Sequence, residues 1–230
     1  MHELINDLQT KQLIWKGNRH QAPSQYHTTG FSELDQQLQG GFPTSGVVEI
    51  QALSGIGELR LLTPFIAQQA KQRLCVLINP PGYVCAEYLY AQGISPSQVL
   101  LVYPTSEAHA LWAAEQSLKS GASCTVCLWQ NDIEIHQAKR LQVASDVGHC
   151  PLFLLKPNAE QAQKVFSLPV SLSLTLHPHP SGIEVNITKR KGGFPRASFV
   201  IDMSQYWPEL ASVNKPPANN VLAFPLLQQG

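Results

Sequence analysis

Between Val47 and Leu155, short and almost uninterrupted apolar runs alternate with stretches of helical period, and this alternation limits the fold more than any other feature. The runs Val47–Gln51, Leu74–Ile78, Val99–Tyr103, Thr125–Trp129 and Pro151–Leu155 have strand length. Between them Glu58–Gln72, Tyr83–Gln92, Glu107–Ser120 and Ile133–Val147 read as helices, the first with Leu59, Leu62, Phe65, Ile66 and Ala70 on one face. Strands that are apolar on both faces need cover on both, so the pattern predicts an α/β fold: a mainly parallel sheet flanked by helices.

The flanks differ in character. Val170–His177, Gly182–Lys189 and Ala197–Asp202 read as strands with little helix between them, which predicts an antiparallel hairpin extension at one C-terminal sheet edge. At the other end Leu4, Ile5, Leu8, Leu13 and Ile14 suit a short helix, and Lys16–Thr29 reads as an extended arm. A short helix stopped by glycines spans Phe31–Asp35 to Leu38–Gly41, and Pro43–Gly46 is a turn. Beyond Trp207 the chain is rich in Pro and Asn, apart from an apolar patch, Val221–Leu227, whose Val221, Leu222 and Phe224 are candidate docking residues. The expected organisation is therefore an N-terminal helix and arm over 1–28, a folded domain over 29–207 and a flexible tail over 208–230. No internal repeat is visible.

Charge excludes some functions. Lys+Arg and Asp+Glu are equal at 16 each, so the chain has no global pull on nucleic acid or membrane. No stretch reaches the ~18 apolar residues of a membrane span, and Met1–Lys11 lacks the pattern of a signal peptide. The five cysteines, an odd number lying mostly in apolar runs, suit reduced thiols in a cytoplasm. Cys124 and Cys127 form a CxxC inside a strand, where alternation sends residues three apart to opposite faces, against a shared metal. His177-Pro-His-Pro180 reads as a hairpin loop. No metal and no cofactor is expected.

The segment Thr29-Gly-Phe-Ser-Glu-Leu-Asp35, then Gly40-Gly-Phe-Pro43 and Gly46-Val-Val-Glu-Ile50, resembles the approach to the core of bacterial RecA recombinases. The register continues through Cys75–Pro104, with Tyr88, Gly93 and the Val99-Leu-Leu101 strand, and through Leu118-Lys-Ser-Gly121. The resemblance covers roughly residues 28–129 and returns around Ile187–Ile201. It implies a RecA-like core. A phosphate loop needs glycines whose N–H groups reach the phosphates, a Lys for their charge and a hydroxyl for Mg²⁺. Here the loop runs Ala52-Leu-Ser-Gly-Ile-Gly57-Glu58-Leu59, with Ala52 at the first glycine, Glu58 at the Lys and Leu59 at the hydroxyl. The catalytic glutamate falls at Pro81 and the Walker B aspartate at Trp129. The resemblance thus implies a degenerate P-loop in a pseudo-ATPase, not an enzyme.

The gaps that correspond to the DNA-binding loops of RecA, Gln130–Ile133 and Pro157–Ser167, are short, which implies weak or no direct DNA binding. One basic segment, Lys189-Arg190-Lys191-Gly-Gly-Phe-Pro195-Arg196, remains. It reads as a solvated hairpin tip, as a phosphate contact to DNA, or, by the resemblance, as residues that reach the nucleotide of a neighbouring RecA subunit. Trp112 reads as core, and Arg60 and Arg140 as helix-surface charges.

Two SOS-response families resemble RecA cores that have lost the ATPase. Leu13-Ile-Trp15-Lys-Gly17, Gly55-Ile-Gly57-Glu58-Leu-Arg60, Ala110-Leu-Trp112 and Lys189-Arg-Lys-Gly-Gly193 look like ImuA, the translesion-synthesis accessory protein. Leu118–Gly121 through Leu128-Trp129 to Phe153–Pro157 looks like both ImuA and SulA, the division inhibitor that binds FtsZ. The expected function is a non-catalytic adaptor that binds RecA filaments and an ImuB-like protein; the alternative is SulA-type inhibition through FtsZ.

Overall fold

In a computed structural model, described here for residues 26–71, 73–157, 168–190 and 197–208, the apolar runs become strands of one sheet. Two short strands, β1 (Tyr26–His27) and β2 (Phe42–Pro43), pair antiparallel around helix α1 (Ser32–Leu38). Tyr26 and His27, in the segment read as an arm, thus belong to the folded unit. Gln39 ends α1 in the left-handed region, and Gly40 and Gly41 follow with positive φ. A Cβ on Gly41 would lie 2.1 Å from the His27 carbonyl oxygen, so the close approach of the strands requires glycine there.

The chain then runs through β3 (Gly46–Gln51), α2 (Glu58–Gln69), β4 (Leu74–Ile78), α3 (Ala86–Ala91), β5 (Val99–Val102), α4 (Glu107–Lys119), β6 (Ser123–Trp129), α5 (Ile135–Gly148) and β7 (Pro151–Lys156). It closes with β8 (Leu172–His179), β9 (Gly182–Arg190) and β10 (Phe199–Asp202). The strand order is β10-β9-β8-β3-β7-β6-β4-β5. β9 and β10 are antiparallel additions, but β8 is parallel to β3, with Val48 opposite Leu172 and Gln51 opposite Thr175. The antiparallel part of the sheet therefore starts one strand later than the sequence pattern predicts.

Alternation along the strands builds a core on each side of the sheet. Val48, Ile50, Cys75, Leu77, Phe153 and Leu155 pack with Leu61, Leu62 and Phe65 of α2 and Leu89 of α3. Val47, Val76, Ile78, Val126, Leu128 and Leu154 pack with Ala110, Ala114 and Leu118 of α4 and Ala138, Leu141 and Ala144 of α5. Phe42, Phe65 and Phe153 meet edge to face, with ring centroids 5.0 to 5.5 Å apart. α4 faces the sheet through alanines, so it lies close against the strands and leaves the larger Trp112 outside. Trp112, expected in the core, is 63% exposed.

Among the described residues no helix is long and apolar enough to cross a membrane, and no group of three His, Cys, Asp or Glu could hold a metal ion.

Candidate functional site

The loop after β3 collects most of the residues singled out in the sequence. Ala52 N–H donates to the Lys156 carbonyl (3.2 Å), which extends the β3–β7 pairing one step before the chain turns. Gly55 and Gly57 then adopt φ of 88° and 107°, conformations that strain any residue with a Cβ. These turns aim their N–H groups inward, the arrangement of an anion-binding nest. The occupant is the protein's own Glu58. Its carboxylate accepts the Gly55 N–H on both oxygens (3.3 and 3.2 Å) and the Gly57 N–H on Oε2 (3.2 Å). Glu58 is only 8% exposed although it opens α2. There its charge also meets the positive end of the helix.

Trp129 closes the other side and is buried. Between Ala52, Glu58, Trp129 and Lys156 remains a cavity of about 10 Å³, the space of one water and far short of a nucleotide. The indole Nε1–H of Trp129 has no hydrogen-bond partner among the described residues. Leu59 is half-buried against the core. The structure thus brings Ala52, Gly57, Glu58, Leu59 and Trp129 together. Pro81 is exposed in the turn after β4 and is not among the residues that line this cavity. In that turn Asn79, at φ 57°, donates from Nδ2 to the Trp129 carbonyl (3.4 Å) and from N–H to the Val102 carbonyl (2.8 Å).

A buried ion pair beside this loop escaped the sequence reading. Lys156 Nζ lies 2.5 Å from Glu49 Oε1, and Ser173 Oγ donates to Glu49 Oε2 (2.9 Å). The available signal was a charged residue inside each of two apolar strands.

Lys189 and Arg190 of the basic segment sit at the opposite end of β8 and β9, because Arg190 pairs with Leu172 whereas the turn between the two strands lies at the loop end. Lys189 Nζ donates to the Leu168 carbonyl (2.5 Å) and Arg190 Nη1 to Gln39 Oε1 (3.0 Å). Both side chains are half-buried. Lys191, Arg196, Val221, Leu222 and Phe224 lie outside the described residues. His177 and His179 belong to β8 itself rather than to a loop, and His179 Nδ1 pairs with Ser181 Oγ (2.9 Å).

The CxxC geometry differs from expectation. The register slips between Leu74, opposite Ser123, and Cys75, opposite Thr125, so Cys124 is an extra residue in β6. This bulge resets the alternation, and Cys124 and Cys127 join the same side of the core. The Cys127 hydrogen bond, reinforced by burial, pushes the Cys75 thiol well above its usual range. Burial pushes Cys124 and Cys150 up to about 12. These groups remain neutral thiols rather than nucleophiles or thiolate ligands.

No family model matches the chain. Over 93 residues, 39% of this chain, it is 29% identical to the cell division inhibitor SulA of Pseudomonas aeruginosa. The match spans 58% of that relative's length. The crystal structure of SulA from Pseudomonas aeruginosa overlaps 47% of this chain and 96% of its own, at 27% identity and a TM-score of 0.41. The chain is thus similar to SulA, one of the two families that its sequence resembles.

Proposed function

We propose that this protein is a non-catalytic, SulA-like inhibitor of cell division that acts in the cytoplasm by binding FtsZ. The observation that carries the reading is the 29% identity to SulA over 93 residues. The loop geometry supports the non-catalytic part. On this reading the fold is a RecA-like core and Ala52–Leu59 a degenerate P-loop, in which the Glu58 carboxylate takes the N–H groups that a phosphate would use. A triphosphate would have to displace a buried carboxylate and open a cavity the size of one water. The test is FtsZ assembly with GTP, followed by light scattering and pelleting, with the purified chain added. Assembly should fall in proportion to the chain, and induced expression should give filamentous cells. Normal assembly at a molar excess of the chain would overturn the reading.

A second reading, an adaptor for RecA filaments and an ImuB-like protein in translesion synthesis, is favoured by the recombinase-like segment 29–50. That segment is integral to the core, with Phe31, Leu34, Leu38 and Phe42 all buried. Binding of the chain to ATP-loaded RecA filaments or to an ImuB-like protein, with FtsZ unaffected, would select it.

A further inference from the structure

β5 ends the sheet, and among the described residues β4 is its only strand neighbour. The two strands pair Cys75 with Val99, Val76 with Leu100, Leu77 with Leu101 and Ile78 with Val102, without a bulge. The Asn79 N–H donates to the Val102 carbonyl (2.8 Å), so Val102 turns its peptide groups toward β4. Alternation turns those of Leu100 the same way and those of Val99, Leu101 and Tyr103 outward. The side chains along this edge are apolar and open: Leu100 is 45% exposed, Leu101 39% and Tyr103 57%. Edge strands are commonly kept from pairing by a charge, a proline within the strand or a bulge. Val99–Tyr103 has none of these, and no Asp, Glu, Lys, Arg or His occurs from Tyr88 to Ser106. β10, at the other edge of the sheet, carries Asp202.

We propose that β5 pairs antiparallel with β5 of a second copy of this chain, across a two-fold axis at Leu101, and so joins two sheets into one. The outward peptide groups fix the register. Leu101 faces its counterpart, Val99 faces Tyr103 and Leu100 faces Val102, so every cross-strand pair is apolar on both faces of the sheet. The Leu101 N–H and carbonyl groups of the two copies satisfy each other, as do those of Val99 and Tyr103. An isologous contact sets a residue against itself only on the axis, and the residue there is uncharged. Glu87 opens α3 and Glu107 opens α4, both at the carboxyl end of the parallel strands. Antiparallel pairing brings that end of β5 to Ser95–Gln98 of the other copy, which has no charge to oppose them. A strongly charged partner would find no complementary group along this edge, whereas the edge itself is its own complement.

Sedimentation equilibrium of the full-length chain tests this, with cross-linking to place the contact. The mass should rise from one chain toward two between about 1 and about 100 µM, the range of a small interface. Leu101→Pro removes only an outward N–H, which an edge strand tolerates. It should weaken association about tenfold or more, because two hydrogen bonds are lost per dimer. Hydrogen exchange in β3 and β7 should stay unchanged, which checks that the variant folds. Leu101→Lys sets two ammonium groups against each other on the axis and should weaken association likewise. In Cys85→Ser/Leu101→Cys, mild oxidation should link two chains through the introduced thiols, since the Cα atoms of such a pair lie about 5.5 Å apart. Cys85→Ser/Val200→Cys, on β10, should stay unlinked. A chain that remains monomeric throughout the range would overturn the proposal, as would a dimer that survives both Leu101 substitutions or that links through residue 200. Slow exchange of the Leu101 amide in a monomer would also overturn it, by assigning the edge to another segment of this chain. Protection of β5 only on addition of FtsZ would do so by assigning the edge to that partner.

Discussion

Lys156 and Glu49 form an ion pair inside the sheet, 2.5 Å apart, with side chains 8% and 7% exposed. Removing one partner leaves the other charge buried without compensation, which typically costs about 3–5 kcal/mol. Lys156→Met should therefore lower Tm by roughly 6–20 °C, at about 2–4 °C per kcal/mol for a chain of this size. The double variant Glu49→Leu/Lys156→Met should melt closer to the unmodified protein than Lys156→Met does. Additive losses in the two single variants would show that the groups do not act as a pair.

Glu58 makes a different claim, about ligand binding. Glu58→Ala leaves the Gly55 and Gly57 N–H groups without their acceptor, a loss of about 1–3 kcal/mol in urea unfolding. Glu58→Lys/Leu59→Thr introduces the charge and hydroxyl that a phosphate loop needs but should still fail to bind Mg²⁺-ATP, because Trp129 fills the space beyond the loop. Calorimetric titration settles it. Micromolar affinity in either the unmodified chain or this double variant would mean that the pocket opens.

The strands and the loop were legible because each is written locally. Val47–Gln51 is an apolar run, and the structure places β3 at Gly46–Gln51. The loop's glycines and Glu58 stand next to one another in the chain, and the structure joins them through the Gly55 and Gly57 N–H groups. What stayed hidden depends on partners distant in sequence. The Cys124 bulge is a mismatch with β4, so β6 alone reads as regular alternation. β8 looks antiparallel until β3 is found to be its neighbour. Trp112 reads as core because its helix is short of large apolar residues, yet the buried face is Ala110, Ala114 and Leu118.

Thiol chemistry gives a third expectation. Cys85 is exposed, whereas Cys75, Cys124, Cys127 and Cys150 are buried. With Cys124 and Cys150 pushed up to about 12, the thiolate fraction at pH 8 is about one part in ten thousand even before access is considered. A disulfide reagent at pH 8 should modify one thiol per native chain, none in native Cys85→Ser, and the remaining four after denaturation. Rapid native labelling of Cys85→Ser would show that the sheet opens near β4 and β6.

Acid sensitivity should trace in part to Glu115. The Lys119 hydrogen bond, and after it Arg140, hold its carboxyl below the ordinary 4.5 despite burial, which pushes the other way. The folded state therefore keeps this group ionised at a pH where the unfolded chain has bound the proton. The stabilisation is fully present above the unfolded value and is lost as pH falls through the lower, folded one. Glu115→Gln should accordingly be less stable than the unmodified chain at pH 7. Its Tm should fall less steeply as the pH is lowered below about 4.5, so that the two curves converge in acid. Salt at about 0.5 M should narrow the difference at pH 7, because Lys119 and Arg140 are 43% and 64% exposed. Parallel curves at all pH values would assign the loss to packing around α4 and α5 rather than to the charge that joins them.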